Sequence, residues 1–395
     1  MKKFILSAVF TLFFTHLLGS LSASAAENSW EQKANMPGMV YTTSSVVYND
    51  EIYVVNGSSN CCTLNTLYKF NPITNSWTTL APSNVARERN GAAVVNGKIY
   101  SMSKGSLEEY DPATNKWTKK ANMLNEKQFF STSVLNGKIY VIGGNTNASP
   151  TAKNTVQIYD PKTDSWTEGP SLNVARYKHS SVVYNGKIYV FGGQRYVTDI
   201  EVFDPETNTW TMDGSMPKER LDSATVILGS KVYFLGGYEL DANGYNVKTK
   251  NFPSYDIETK KWEYQSDLTV YREAPAAAVV NGKIYIMGGR SEAGILNSVE
   301  EYTLNSVPPT EPGNPGESFS NRAILTITLT NGSIKEYDLP ADDINNFISW
   351  YDNYDSGIGT SKFGINKYNN NLGPFKKRVD YITFNSIVMF EVNEY

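Results

Sequence analysis

Along most of this chain the apolar positions fall in short runs, alternating or continuous, and each run stops at Asn-Gly, Gly-Gly or Asp-Pro. Such runs predict short strands joined by tight turns. The runs recur. "NDEIYVVNG" from Asn49 is followed by "NGKIYSMSK" from Asn96, "NGKIYVIGG" from Asn136, "NGKIYVFGG" from Asn185, "GSKVYFLGG" from Gly229 and "NGKIYIMGG" from Asn281. After a variable loop comes a second string ending in tryptophan, at Trp77, Trp117, Trp166, Trp210 and Trp262. The period of about forty to fifty residues is that of propeller blades.

Each repeat resolves into four strands. In the fourth, "SSVVY" (Ser180–Tyr184) is the first strand and Asn185-Gly186 a type I′ hairpin turn. "KIYVFGG" is the second, ending in glycines that accept positive φ where the chain swings away. "IEVFDP" is the third, stopped by proline, and a turn leads to the strand of Trp210. One repeat makes one four-stranded antiparallel sheet. The sixth repeat has no tryptophan strand of its own, because the chain runs into prolines. The early segment "NSWEQKANMP" matches "DSWTEGPSLN" from Asp164, so the strand of Trp30 is expected to complete the sixth blade and leave no open sheet edge.

The double glycines Gly143-Gly144, Gly192-Gly193, Gly236-Gly237 and Gly288-Gly289, with the spaced Tyr and Trp of each unit, resemble the kelch repeat. The first and second repeats depart from it, with Asn56-Gly57 and Ser103-Lys104 at that place. The resemblance implies an all-β, six-bladed kelch-type β-propeller over residues 27–305. Residues 306–318, rich in Pro and Gly, read as a stiff linker. Residues 319–395 read as a small α+β C-terminal domain. Two strands meet there at an Asn331-Gly332 turn, a helix carries Ile344, Phe347, Ile348 and Tyr351 on one face, and two more strands follow. "EYDL", "FISWYD", "NLGPF" and "FEVNEY" resemble a module attached to exported proteins of Gram-positive bacteria.

The start of the chain is read apart from the fold. Two lysines, an apolar stretch from Phe4 to about Leu21 and Ala23-Ser24-Ala25 have the layout of a signal peptide, residues 1–25, so the protein is expected to be secreted. The alternative is an uncleaved anchor; no other segment reaches transmembrane length. Cleavage removes Lys2 and Lys3, so 36 basic residues fall to 34 against 40 acidic ones, a net charge of about −6. That balance argues against nucleic acid as a partner. The only cysteines, Cys61 and Cys62, are adjacent. They form either a strained vicinal disulfide or a pair of loop thiols, and no disulfide framework exists.

Catalytic constellations are scarce. After cleavage one histidine remains, His179, which excludes imidazole-built copper and zinc sites and leaves no cofactor or metal to expect. No nucleophile elbow surrounds it. Asp111, Asp160, Asp204 and Asp256 precede the turn between third and fourth strands and read as turn caps, with the tryptophans as packing.

One pattern rises above packing. Nine residues before the first turn residue of each repeat stand Val40, Arg87, Lys127, Arg176, Arg220 and Arg272, five of the six basic. Loops after the second strands add Lys104, Arg195 and Arg290 at the same end of the blades, with Tyr41, Tyr177, Tyr238 and Tyr271 nearby. One reading is a basic ring around the central opening that binds an acidic glycan or an acidic protein segment. The other pairs these cations with acids such as Glu88, Glu219 and Glu273. On the first reading, removing Arg176 or Arg220 weakens binding and leaves the fold intact. The ligand-binding set expected from sequence is therefore Arg87, Lys127, Arg176, Arg220, Arg272, Arg195, Arg290 and Tyr177, on a monomeric secreted protein in which the sequence favours binding over catalysis and leaves the enzyme question open. The alternative is a metal-free sugar epimerase or mutarotase, similar to kelch-type sialic acid epimerases, using arginines for the carboxylate and a Glu or His179 for proton transfer.

Overall fold

A computed structural model describes residues 29–304, except 147, 150, 195 and 242, together with residues 322–330, 334–355, 362–366, 379–384 and 387–394. The expected signal peptide, the linker 306–318 and the "NLGPF" segment lie outside the described residues.

The alternating runs form six four-stranded antiparallel sheets. In the fourth, Ser180–Tyr184, Lys187–Phe191, Asp199–Asp204 and Thr209–Ser215 pair in chain order. The innermost strands are Ser44–Tyr48, Gly91–Val95, Ser131–Leu135, Ser180–Tyr184, Ala224–Leu228 and Ala276–Val280. Each lies beside the next, and the last returns to the first. Their small side chains allow that convergence and bond across it: Ser45 Oγ donates to Ala277 O at 2.7 Å, and Ser133 and Ser181 hydroxyls meet at 2.8 Å. The fold is a six-bladed kelch-type β-propeller.

The ring closes as the tryptophan pattern implies. Ser29–Lys33 pairs antiparallel with Val299–Thr303, with Trp30 opposite Tyr302. The Trp30 ring packs 4.9 Å from Tyr302 and 5.4 Å from Phe252 of the preceding blade. Other tryptophans bolt neighbouring blades through the indole N–H. Trp77 donates to Ala34 O at 2.8 Å, Trp117 to Ala81 O at 2.8 Å, Trp166 to Ala121 O at 2.9 Å and Trp210 to Pro170 O at 2.9 Å. The rim aspartates cap their turns. Asp111 accepts from Ala113 N and Asp160 from Lys162 N, both at 2.9 Å.

The glycine corners have a steric cause. Gly236 sits at φ 66°, and a Cβ there would lie 2.4 Å from Arg272 O of the next blade. The first repeat keeps this left-handed corner with Asn56 at φ 57° and Gly57 at 121°. The second moves it one residue on, to Lys104 and Gly105, because a two-residue turn there joins Ser103 directly to Ser106. In the fifth blade the long loop after the second strand folds into a hairpin, Tyr238–Leu240 with Asn246–Lys248, which pairs with Arg220–Leu221 ahead of the first strand to make a three-stranded ribbon that the strand pattern did not suggest.

In the C-terminal unit, Ile334–Pro340, Arg322–Leu329 and Ile387–Glu394 form a sheet in that order. Helix Ala341–Asp355 places Ile344 and Phe347 in a core with Leu325, Ile327, Leu339, Ile365 and Ile382. A second pair, Lys362–Asn366 with Val379–Thr383, completes the described part.

Candidate functional site

The five repeated cations occupy equivalent places, but not at an open mouth. Arg176 is fully buried: its guanidinium donates to Gly192 O at 2.7 Å, Asp199 O at 2.9 Å and the Glu201 carboxylate at 2.6 Å. Arg272 is likewise fully buried, donating to Gly288 O at 2.7 Å, Ser298 Oγ at 2.8 Å and Glu300 at 2.9 Å. Arg220 reaches Gly236 O at 2.8 Å and the Glu239 carboxylate, and Arg87 reaches Glu108 at 2.5 Å and Ser106 Oγ at 3.1 Å. Lys127 makes no ion pair among the described residues, with Glu168 acting on it only at longer range. It donates to Gly143 O, Thr155 O and Thr155 Oγ1 at 3.0, 2.6 and 2.9 Å, and burial pushes its ammonium down to about 8.

This corrects the expectation of a basic ring presented to a ligand. The side chains turn inward, away from solvent; Lys127, Arg176, Arg220 and Arg272 each donate to the carbonyl of a glycine corner, whereas Arg87 is held by Glu108, Ser106 Oγ and Val85 O. Their partner acids are also not those expected from sequence. Glu108, Glu201 and Glu300 come from third strands and Glu239 from the fifth-blade ribbon, while Glu88 and Glu273 belong to the loop layer outside them. A buried cation left without such partners would cost several kcal/mol, and each arginine here has a carboxylate within 3 Å, although the Nε of Arg87, Arg176 and Arg272 has no partner among the described residues. Arg195 lies outside the described residues. Of the remaining expected site residues, Arg290 is exposed with its guanidinium 5.8 Å over the Tyr41 ring, and Tyr177 is half-buried with its ring 6.1 Å from Phe129.

The arrangement missed by sequence reading stands two residues further along each repeat. Thr42, Arg89, Phe129, Lys178, Asp222 and Ala274 all have φ between 44° and 58°, a left-handed conformation that, Asp222 apart, these residue types rarely adopt. Main-chain hydrogen bonds link them blade to blade: Arg89 N to Thr42 O and Thr42 N to Ala274 O at 3.0 Å, Ala274 N to Asp222 O and Lys178 N to Phe129 O at 2.9 Å. They form a collar at the loop end of the innermost strands. Six dissimilar side chains gave no repeat to detect.

The collar's side chains interact as a cluster. Arg89 places its guanidinium 4.4 Å over the Phe129 ring, and Lys178 Nζ lies 5.1 Å from the same ring. Lys178 pairs with Asp222 at 2.5 Å. Burial nevertheless pushes the Asp222 carboxyl above the usual carboxylate range, with Glu273 adding to the effect. Arg89 differs from the buried cations in one decisive respect. Its only ion pair among the described residues is a 3.9 Å approach to Glu88, and its side chain is 36% exposed where Arg87, Arg176, Arg220 and Arg272 are buried. Glu88 is meanwhile held by Ser58 Oγ at 2.8 Å and Lys104 at 3.3 Å. Tyr238 and Tyr271, 5.7 Å apart, and Lys248, 5.3 Å over Tyr271, extend the cluster toward the ribbon.

His179 lies beneath the collar, bonded to Ser131 Oγ through Nε2 at 2.9 Å. Burial, then Arg176 and Lys127, push its imidazole well down, so it is neutral at ordinary pH. Among the described residues no group of three or more His, Cys, Asp or Glu converges on a point that could hold a metal, and no helix is long and apolar enough to cross a membrane.

Comparison with known proteins agrees with the architecture. Residues 39–84 and 272–305, at the two ends of the ring, match the kelch motif, and residues 91–199 match the Attractin/LZTR1 β-propeller. An uncharacterised protein of Clostridium acetobutylicum is 36% identical over 80 residues, which is 20% of this chain and 19% of that protein. The solved structure of YjhT superposes with a TM-score of 0.59 at 17% identity, covering 68% of this chain and 96% of that one. At that identity the likeness concerns the fold.

Proposed function

We propose that the protein is an exported binding module whose propeller takes an anionic glycan at the collar. The observation that carries this reading is Arg89: a guanidinium at the collar, stacked on Phe129, partly exposed and with no ion pair closer than 3.9 Å among the described residues. Guanidinium forks suit carboxylates, and an aromatic face beside them suits the apolar side of a sugar ring. Lys178 adds a second cation, partly offset by Asp222, and Tyr41 with Arg290 supplies a further cation–aromatic pair on the same loop layer. A wholly buried ring of charges would offer a ligand nothing to reach; the collar does.

The test is a glycan array followed by calorimetry on the best acidic hit. Arg89→Ala should weaken binding by about 1.5 to 3 kcal/mol, the range for a hydrogen bond to a charged group. Unchanged affinity in Arg89→Ala and Phe129→Ala would refute a site at the collar.

A second reading, a metal-free sugar epimerase, draws support from Asp222. A carboxyl kept protonated to higher pH beside a cation is suited to proton transfer. His179 is too buried for that role. NMR of sialic acid anomerisation separates the two readings. The binding module leaves the spontaneous rate unchanged, whereas the epimerase accelerates it and loses the acceleration in Asp222→Asn.

A further inference from the structure

We propose that the Cys61-Cys62 tip of the first blade is a dithiol site that captures a thiophilic ligand of the trivalent arsenical class as a two-sulfur chelate. Both thiols are exposed in the loop joining Glu51–Ser58 to Thr63–Asn71. The loop is braced rather than slack. Ser58 pairs with Thr63 across its base, Ser59 N donates to Cys62 O at 2.9 Å, and Ser58 is tied to Tyr41 by two main-chain hydrogen bonds. The sulfurs are thereby held on one side of the tip, 2.8 Å apart, with Ser59 Oγ 3.2 and 3.4 Å from them. Hydrogen bonding to Cys62, then to Ser59, lowers the Cys61 thiol and makes its thiolate more available.

Geometry favours a chelate over a disulfide. Cα atoms joined by a trans peptide lie about 3.8 Å apart, short of the roughly 4.4 to 6.8 Å that a relaxed disulfide spans. A bridging atom with bonds of about 2.3 Å to each sulfur, the length seen for thiolate on a soft ion, removes that constraint. No third ligand group converges on the sulfurs among the described residues, which favours a ligand that brings its own remaining substituent over a four-coordinate metal ion. With an organoarsonous acid the step balances without electron transfer. Two arsenic–sulfur bonds form, two arsenic–oxygen bonds break, and the two hydroxides leave as water with the thiol protons. The site is independent of the collar and of the glycan reading.

The experiment uses the phosphine-reduced, desalted protein and phenylarsonous acid as the probe. One arsenic should bind per chain, both thiols should vanish from an Ellman titration, and excess dimercaptan should restore them where the same concentration of monothiol does not. Cys61→Ser and Cys62→Ser, both at an exposed loop tip, should each bind at least about 100-fold more weakly, the advantage expected when the second bond becomes intramolecular. Equal binding by either single variant, or two titratable thiols persisting in the presence of the probe, overturns the proposal.

Discussion

Replacing Arg176 by methionine tests whether the repeated cation holds the fold. Methionine keeps much of the side-chain volume, so the loss is electrostatic. The change deletes three donors at once, to Gly192 O, Asp199 O and the Glu201 carboxylate. Glu201, itself fully buried, would keep hydrogen bonds from Asn173 N at 2.7 Å, Asn173 Nδ2 at 3.0 Å and Val174 N at 3.1 Å, but no cation. Breaking a buried pair by removing one partner costs about 3 to 5 kcal/mol. The three surviving bonds to Glu201 place the expected loss near the lower end, about 3 kcal/mol. Replacing both partners, in Arg176→Met with Glu201→Gln, removes the stranded charge and should recover part of the loss. Urea unfolding of wild type, Arg176→Met, the double variant and Arg89→Ala gives the comparison. The Arg89 variant, with its weak ion pair, should unfold within about 0.5 kcal/mol of wild type. If Arg176→Met also falls in that narrow range, or the double variant is less stable than the single one, the burial argument fails and the cation must be sought in ligand binding after all.

Lys127 gives a pH signature. Its folded value near 8 lies below the ordinary 10.5, so the unfolded chain binds more protons between those values and stability should rise with pH across that window. Between pH 7.5 and 9.5 wild type should gain about 1 to 2 kcal/mol relative to Lys127→Met; parallel pH curves would contradict this. Trp30→Ala, which removes the ring contacts to Tyr302 and Phe252, should cost at least about 2 kcal/mol, somewhat less than for a fully buried tryptophan, and calorimetry showing no fall in melting temperature would refute closure through that strand. Lys116→Ala and Lys162→Ala, on the outer turns, should leave glycan affinity unchanged, and a loss comparable to that of Arg89→Ala would place the ligand on the wrong part of the blades.

What sequence could reveal here follows from what repeats. Strands, tight two-residue turns and a tryptophan recur in every blade, and that repetition made them legible, down to Trp30 completing the last sheet. The same logic misled at the ring position. A cation recurring in five of six repeats is what a structural requirement leaves behind, since four of the five donate to a corner carbonyl and Arg87, the exception, is held by Glu108 of its own third strand. Arg176, Arg220 and Arg272 each donate to the carbonyl sixteen residues on, and Lys127 does so without an ion pair among the described residues. A binding site has the opposite character. It needs one arginine, one aromatic ring and one acid at particular places around a single axis, so symmetry is broken where the ligand sits. The collar combines the two features the proposed site would need: the backbone repeats its left-handed turn six times while the side chains run Thr42, Arg89, Phe129, Lys178, Asp222 and Ala274. Only three-dimensional placement brings Arg89 over Phe129, forty residues away in the chain, and no spacing rule within a repeat encodes that contact. In a closed propeller the place to look for function is therefore where backbone symmetry persists and side-chain symmetry ends.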